Sequence, residues 1–310
     1  MKRARLVVMV VWAMVVGGIA QAAADVLCTT FPIYQITRNV VQGREGVSVA
    51  LMMPASLGCP HHYSLTPQDM RKLARAEVLV VNGLGLEEFL GGPVEKANPQ
   101  LRVVDSSQGI KDLLQFAQEP DDGCDHGQAC GHEHHNQGAN PHLFASPRMA
   151  ALLAGNIATG LSKADPEGAG IYFKNATAYA AAMNALADEM AAVVKTLRNN
   201  RIVQPHGIFD YLARDIGLEI VAVTQPHGQE PSAAEMLKLV ETIREKKAGA
   251  IFTEPQYSPK VGQTLARESG IPSAVLDPVA SGPDNALLDY YEQVMRKNAE
   301  TIQVTLGADE

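Results

Sequence analysis

Short apolar runs recur along the chain at spacings that suit buried strands. They are Val26–Thr29, Val47–Met52, Val78–Val81, Arg102–Val104, Ile202–Val203, Ile220–Val223, Ala250–Phe252 and Ala274–Leu276. Patterns of helical period lie between them, for example Pro67–Ala76 and Ser232–Lys246. A run of apolar residues bounded by polar ones fits a strand covered on both faces, and strands alternating with helices predict an α/β fold with parallel sheets. No close sequence repeat is visible, although both halves use the same alternation.

Two segments depart from that rhythm. From Pro166 to Leu197 the chain is rich in Ala, Leu and Met and reads as one long helix, with Asp165 as its expected cap and Pro166 at its first position. At about 1.5 Å per residue such a helix is roughly 45 Å long, longer than one small lobe needs. It is therefore expected to bridge two lobes. Residues 117–140, AQEPDDGCDHGQACGHEHHNQGAN, contain almost nothing that could pack a core and predict a mobile loop. The expected organisation is a segment 1–24, a first α/β lobe over 25–165 that carries this loop, a bridging helix over 166–198, and a second α/β lobe over 199–310.

The first 24 residues change the chemical reading of the rest. Lys2, Arg3 and Arg5 precede the apolar stretch Leu6–Val16, followed by small residues around Ala20–Ala24, which is the layout of a cleaved export signal. Gly17, Gly18 and Gln21 shorten the run below the roughly 20 residues of a membrane anchor. Leu27 and Asp25 beside Cys28 are poor neighbours for lipid attachment. The expected product is periplasmic, without stable membrane insertion. Taking three of the 26 basic residues away with the signal leaves 23 against 34 acidic ones, a net charge of −11. So acidic a surface argues against nucleic-acid binding. Four cysteines exported to an oxidising space are candidates for pairing, with three possible connectivities.

Three of the nine histidines share a local setting: Pro60-His61, Pro141-His142 and Pro205-His206. Each follows a proline near a predicted strand end or helix start. Ligands of open α/β sheets gather beyond the carboxyl ends of strands, so three imidazoles delivered there would supply most of a tetrahedral zinc site. The acidic loop adds His126, His132, His134 and His135, a dense but weak set of metal donors. No HExxH motif is present to indicate a zinc hydrolase, the competing reading of the same residues. A surface adhesin or zinc store is a third.

Longer stretches carry a family resemblance. PHHYSLTPQDMRKLARAEVLVVNGLGLEEFL, NPHLFASPRMA and PHGIFDYLARDIGLEIVAV resemble the three ligand loops of the metal-binding subunits of zinc and manganese ABC importers, the cluster A-I or ZnuA/TroA-like family. GQEPSAAEMLKLVETIREKKAGAIFTEPQYSPKVGQTLARESGIPSAVLDPVA is similar to that family's C-terminal lobe. The resemblance implies two α/β lobes on one rigid helix, little hinge closure, and monomeric capture of a metal for an ABC membrane permease. It implies the ligands His61, His142, His206 and Asp277, with His61 rather than His62 as the donor of the first loop. Three imidazoles and one carboxylate favour Zn2+ over Mn2+. By the residues alone, Asp277 reads equally as the cap of an Asp-Pro turn.

Several second-order expectations complete the reading. Glu254 is expected to order neighbouring loops rather than bind metal. The family commonly has an acidic or polar residue after the third histidine, so Gly207 predicts a less firmly oriented His206. Cys28–Cys59 and Cys124–Cys130 are the favoured disulfides, the first bracing the loop of His61; Cys59 as a metal ligand is the less favoured alternative.

Overall fold

A computed structural model describes residues 24–60, 63–115, 138–225 and 230–307. Each predicted apolar run forms a strand, and the strands make two four-stranded parallel sheets. The first sheet contains β1 (Ala24–Cys28), β2 (Val47–Leu51), β3 (Val78–Val81) and β4 (Arg102–Asp105), in the order β2-β1-β3-β4. The second contains β5 (Arg201–Gln204), β6 (Glu219–Val223), β7 (Ala250–Thr253) and β8 (Ser273–Val275), in the order β6-β5-β7-β8. The two orders are the same, so a repeat that the residues do not display is present in the topology.

Burial explains the division of labour within each sheet. All four residues of β3 are buried, as are three of four in β5 and in β7, because helices cover both faces of these inner strands. The outer strand β2 exposes alternate residues, and in β4 only Val104 is buried. In each sheet the chain leaves the first strand toward one side and returns on the other. That reversal opens a crevice between β1 and β3 and another between β5 and β7, where side chains beyond the strand ends face a common space.

The remaining helices are α1 (Phe31–Val41), α2 (Pro67–Arg75), α3 (Gly91–Ala97), α4 (Pro147–Ala164), α5 (Ala169–Lys195), α6 (Asp210–Ile216), α7 (Ala233–Glu245), α8 (Lys260–Ser269) and α9 (Tyr290–Gly307). Two of them start at the capping boxes that their sequences advertise. Thr66 and Asp69 exchange bonds at the head of α2, and Ser232 and Glu235 do so at the head of α7. None of the described helices is long and apolar enough to cross a membrane.

The long helix is α5. It begins at Ala169, after a separate 3-10 turn over Pro166–Gly168, and runs for 27 residues, about 40 Å. Tyr172, Ala176, Tyr179, Met183, Leu186, Met190 and Val194 are buried at spacings of three or four residues. This stripe packs on α1 and α4 of the first lobe and on α6 and α9 of the second. One continuous apolar cluster reaches from Val26 and Val80 through Met183 and Leu186 to Ile202 and Phe252. Arg38 Nη1 donates to Ala286 O (2.7 Å) and Asn39 Nδ2 to Leu288 O (2.9 Å), which ties α1 to the segment before α9.

Asp165 does not cap the helix with its side chain. Its carboxylate is held by Arg44 in a two-point pair (2.8 and 3.0 Å) and also accepts from Tyr172 Oη. A guanidinium that matches both oxygens outcompetes a single backbone amide for them. The Arg44 bond and charge hold the Asp165 carboxyl at about 2, below its usual 3.8. Its contribution is fully present above about pH 4 and is lost as pH falls toward 2, because only the charged form satisfies Arg44. Asp165→Asn is expected to lower unfolding free energy by about 1–3 kcal/mol at neutral pH. In urea melts the deficit should shrink between pH 4 and 2.

Candidate metal centre

Cys59, His142 and His206 arrive from three distant parts of the chain, and each offers a donor atom within 4.8 Å of the other two. His206 lies two residues beyond β5, and His142 opens a 3-10 turn, His142–Ala145, just ahead of α4. The rings of His142 and His206 meet edge to face with centroids 5.2 Å apart. The Cys59 sulfur is 3.2 Å from His142 Nε2. Two of the three expected imidazoles are therefore brought together. His61, His62, the loop histidines His126, His132, His134 and His135, and the Cys124–Cys130 pair lie outside the described residues.

The imidazoles are held from behind. Asn140 Oδ1 accepts from the His142 amide (3.0 Å) and lies 2.8 Å from His142 Nδ1, so Nδ1 carries the proton and Nε2 keeps its lone pair for the centre. The same amide group faces the other lobe, where Asn140 Nδ2 donates to Gly207 O (2.8 Å) and Asp210 Oδ2 (2.9 Å). Its backbone is fixed too: Asn140 N donates to Leu114 O (2.7 Å), and Tyr211 Oη donates to Asn140 O (2.8 Å). One buried asparagine thus couples the loops of both histidines. Asn82, just beyond β3, donates from Nδ2 to Pro141 O (2.9 Å) and steadies the same turn.

His206 has a carboxylate behind it instead. Glu254, the first residue after β7 and wholly buried, sits with Oε1 3.0 Å from His206 Nδ1. The contact is electrostatic, since Glu254 Oε1 meets no hydrogen-bond geometry: a buried carboxylate beside Nδ1 favours a proton on that nitrogen, which leaves Nε2 as the donor. Glu254 thus sits directly against the loop that carries His206. Gly207 brings no polar side chain to His206, and the Glu254 carboxylate faces the ring from another strand instead. Gly207 itself has φ +80°, a left-handed conformation that glycine adopts without strain, and its carbonyl is the one that Asn140 uses.

Asp277 stands apart from the three-donor group. Its Oδ1 accepts from Val279 N (2.8 Å), which is the Asp-Pro turn that the residues alone allowed. Asn298 on α9 clamps its backbone on both sides, accepting from Asp277 N and donating to Asp277 O. Burial, and then the Glu254 charge, push its carboxyl up to about 6. A second buried carboxylate, Glu87, occupies the first sheet's crevice, where it accepts from Thr29 Oγ1, Asn82 N and Gly83 N. Burial raises it to about 7 against the pull of those donors.

The expected Cys28–Cys59 disulfide is not formed, and both thiols are free. Cys28 is sealed in the first lobe's core, and burial pushes its thiol up to about 12. Cys59 turns toward His142 instead. Burial raises its thiol well above the usual value, and the nearby charges of Glu254 and Glu87 add to the rise. In the sequence, the place of Cys59 two residues before His61 is the one signal that sets it near the centre. Asn140 and Glu87 carried no signal that singled them out.

Nitrogen and sulfur atoms within reach of one ion suit Zn2+ better than Mn2+, which prefers oxygen. A family model described as "Zinc-uptake complex component A periplasmic" matches residues 26–305. The chain is 28% identical to the high-affinity zinc uptake system protein ZnuA of Brucella suis, with 94% of each chain covered. It is 29% identical to the zinc-binding protein AdcA of Streptococcus pyogenes serotype M6 over 93% of this chain but only 57% of that protein, so it spans little more than half the length of that relative. A crystal structure of ZnuA superposes with a TM-score of 0.75 at 27% identity, covering 91% of this chain and 99% of that one.

Proposed function

Since the chain belongs to the family of periplasmic zinc-uptake components, we propose that it captures Zn2+ outside the cytoplasmic membrane and hands it to an ABC import permease. The observation that carries this reading is the convergence of His142 and His206, held from behind by Asn140 and Glu254, on a donor group with Cys59. His61 is the third imidazole in this reading, and a fourth, anionic donor closes the shell; the family resemblance gives that place to Asp277. A shell of four protein donors leaves no position for a reactive water, which favours capture over hydrolysis.

Capture by a rigid bilobed protein makes release the permease's task, because α5 and the bonds from α1 to the segment before α9 resist opening of the cleft. Protonated imidazole cannot bind metal, so affinity is expected to fall as pH drops through the histidine range. The His-rich loop is an auxiliary zinc collector. Gln115 and Ala139 pair in an isolated bridge, so its two ends leave the fold side by side next to Asn140.

Calorimetry of the exported form with Zn2+ and Mn2+ in parallel tests the proposal. Zinc should bind tightly at one site with manganese far weaker, and deletion of residues 119–138 should leave that site intact. Equal affinities for the two ions, or loss of tight binding with the loop, would refute it.

A further inference from the structure

The three-donor group contains a sulfur, and the geometry points to Cys59 as a ligand of the captured metal: its thiolate takes the fourth, anionic position that the family resemblance gives to Asp277. This inference rests on the capture reading above and deepens it. Tetrahedral zinc with S and N bonds of about 2.3 and 2.0–2.1 Å separates those donors by roughly 3.6 Å. The Cys59 sulfur and His142 Nε2 are 3.2 Å apart, so an ion needs only to part them by a few tenths of an ångström. Because Asn140 fixes the proton of His142 on Nδ1, the sulfur and Nε2 present a thiol hydrogen to a lone pair. A cation can replace that hydrogen.

Asp277 is less ready for the role. It lies outside the group, its Oδ1 is engaged by Val279 N, and Asn298 holds its backbone in place. Cys59 also has no competing partner in Cys28, which is enclosed in the core. The step balances simply. Zn2+ binds the sulfur, the S–H bond breaks, and one proton passes to the buffer with no redox change. A soft thiolate in place of a carboxylate would sharpen the preference for zinc over manganese.

The test uses the exported full-length chain loaded with one equivalent of Co2+, a spectroscopic stand-in for zinc. A sulfur-to-cobalt charge-transfer band is expected in the near ultraviolet. It should persist in Cys124→Ser/Cys130→Ser and in Asp277→Asn, and vanish in Cys59→Ser. Zinc affinity should fall about tenfold or more in Cys59→Ser, since even partners of ligands are worth 10–100-fold, while manganese affinity changes less. Tight one-to-one cobalt binding without the band, or a band that survives Cys59→Ser, would overturn the assignment and leave the capture reading standing. Failure to bind zinc or cobalt at all would overturn both. Should Cys59→Ser not fold, the band in the Cys124→Ser/Cys130→Ser protein decides, because Cys28 is sealed away from any ion.

Discussion

His206→Ala is expected to weaken zinc binding at least about 100-fold. Structural zinc sites are worth roughly 10–16 kcal/mol at neutral pH, so each of four ligands carries on the order of 3 kcal/mol. The loss here extends beyond one nitrogen. The His206 ring stands between the centre and Glu254, and without it a fully buried carboxylate has no imidazole to meet. A competition titration against a chromophoric chelator would read the change. His142→Ala should match it in size, since the two rings face the same group. A variant that kept affinity within threefold of the parent would remove its histidine from the site.

Asn140→Ala should do damage of two kinds. Affinity should fall by 10–100-fold, the usual loss when a partner that orients a ligand is removed. Nothing would then hold the His142 proton on Nδ1, and the ring could turn its lone pair away from the centre. Stability should fall as well, by about 2–4 kcal/mol, because the His142 amide and the Gly207 carbonyl would lose a buried partner together. Asn140→Asp separates the effects. It keeps the acceptor for His142 but turns the donor side into a carboxylate facing Gly207 O and Asp210. We expect it to preserve more metal affinity than stability. Denaturant melts without metal, run beside zinc titrations, would test that ordering.

The fold was readable because the alternation of buried strands and amphipathic helices is a local signal. Val78–Val81 and Ala250–Phe252 are apolar on both faces, and only a covered parallel strand accommodates that. The same locality explains what the sequence misjudged. Asp165 looks like a helix cap beside Pro166, but Arg44, 121 residues away, takes its side chain. Beside Gly207, nothing local shows that Glu254 faces the His206 ring from a different strand.

The donors were partly readable for a related reason. His142 and His206 stand beside prolines at element boundaries, which is visible in one dimension. Their orientation is not visible there, because Asn140 reaches from the end of a polar segment to both lobes at once. Cys59 illustrates the limit best. An oxidising compartment argues for pairing, and only the burial of Cys28 in the core and the turn of Cys59 toward His142 reverse that argument.

Anomalous diffraction at the zinc edge, from crystals of the zinc-loaded protein, tests the central claim most directly. The account predicts one dominant peak about 2.0–2.1 Å from a ring nitrogen of both His142 and His206. Zinc found only on the loop over residues 117–140 or on the outer surface, with those two rings unligated, would contradict it.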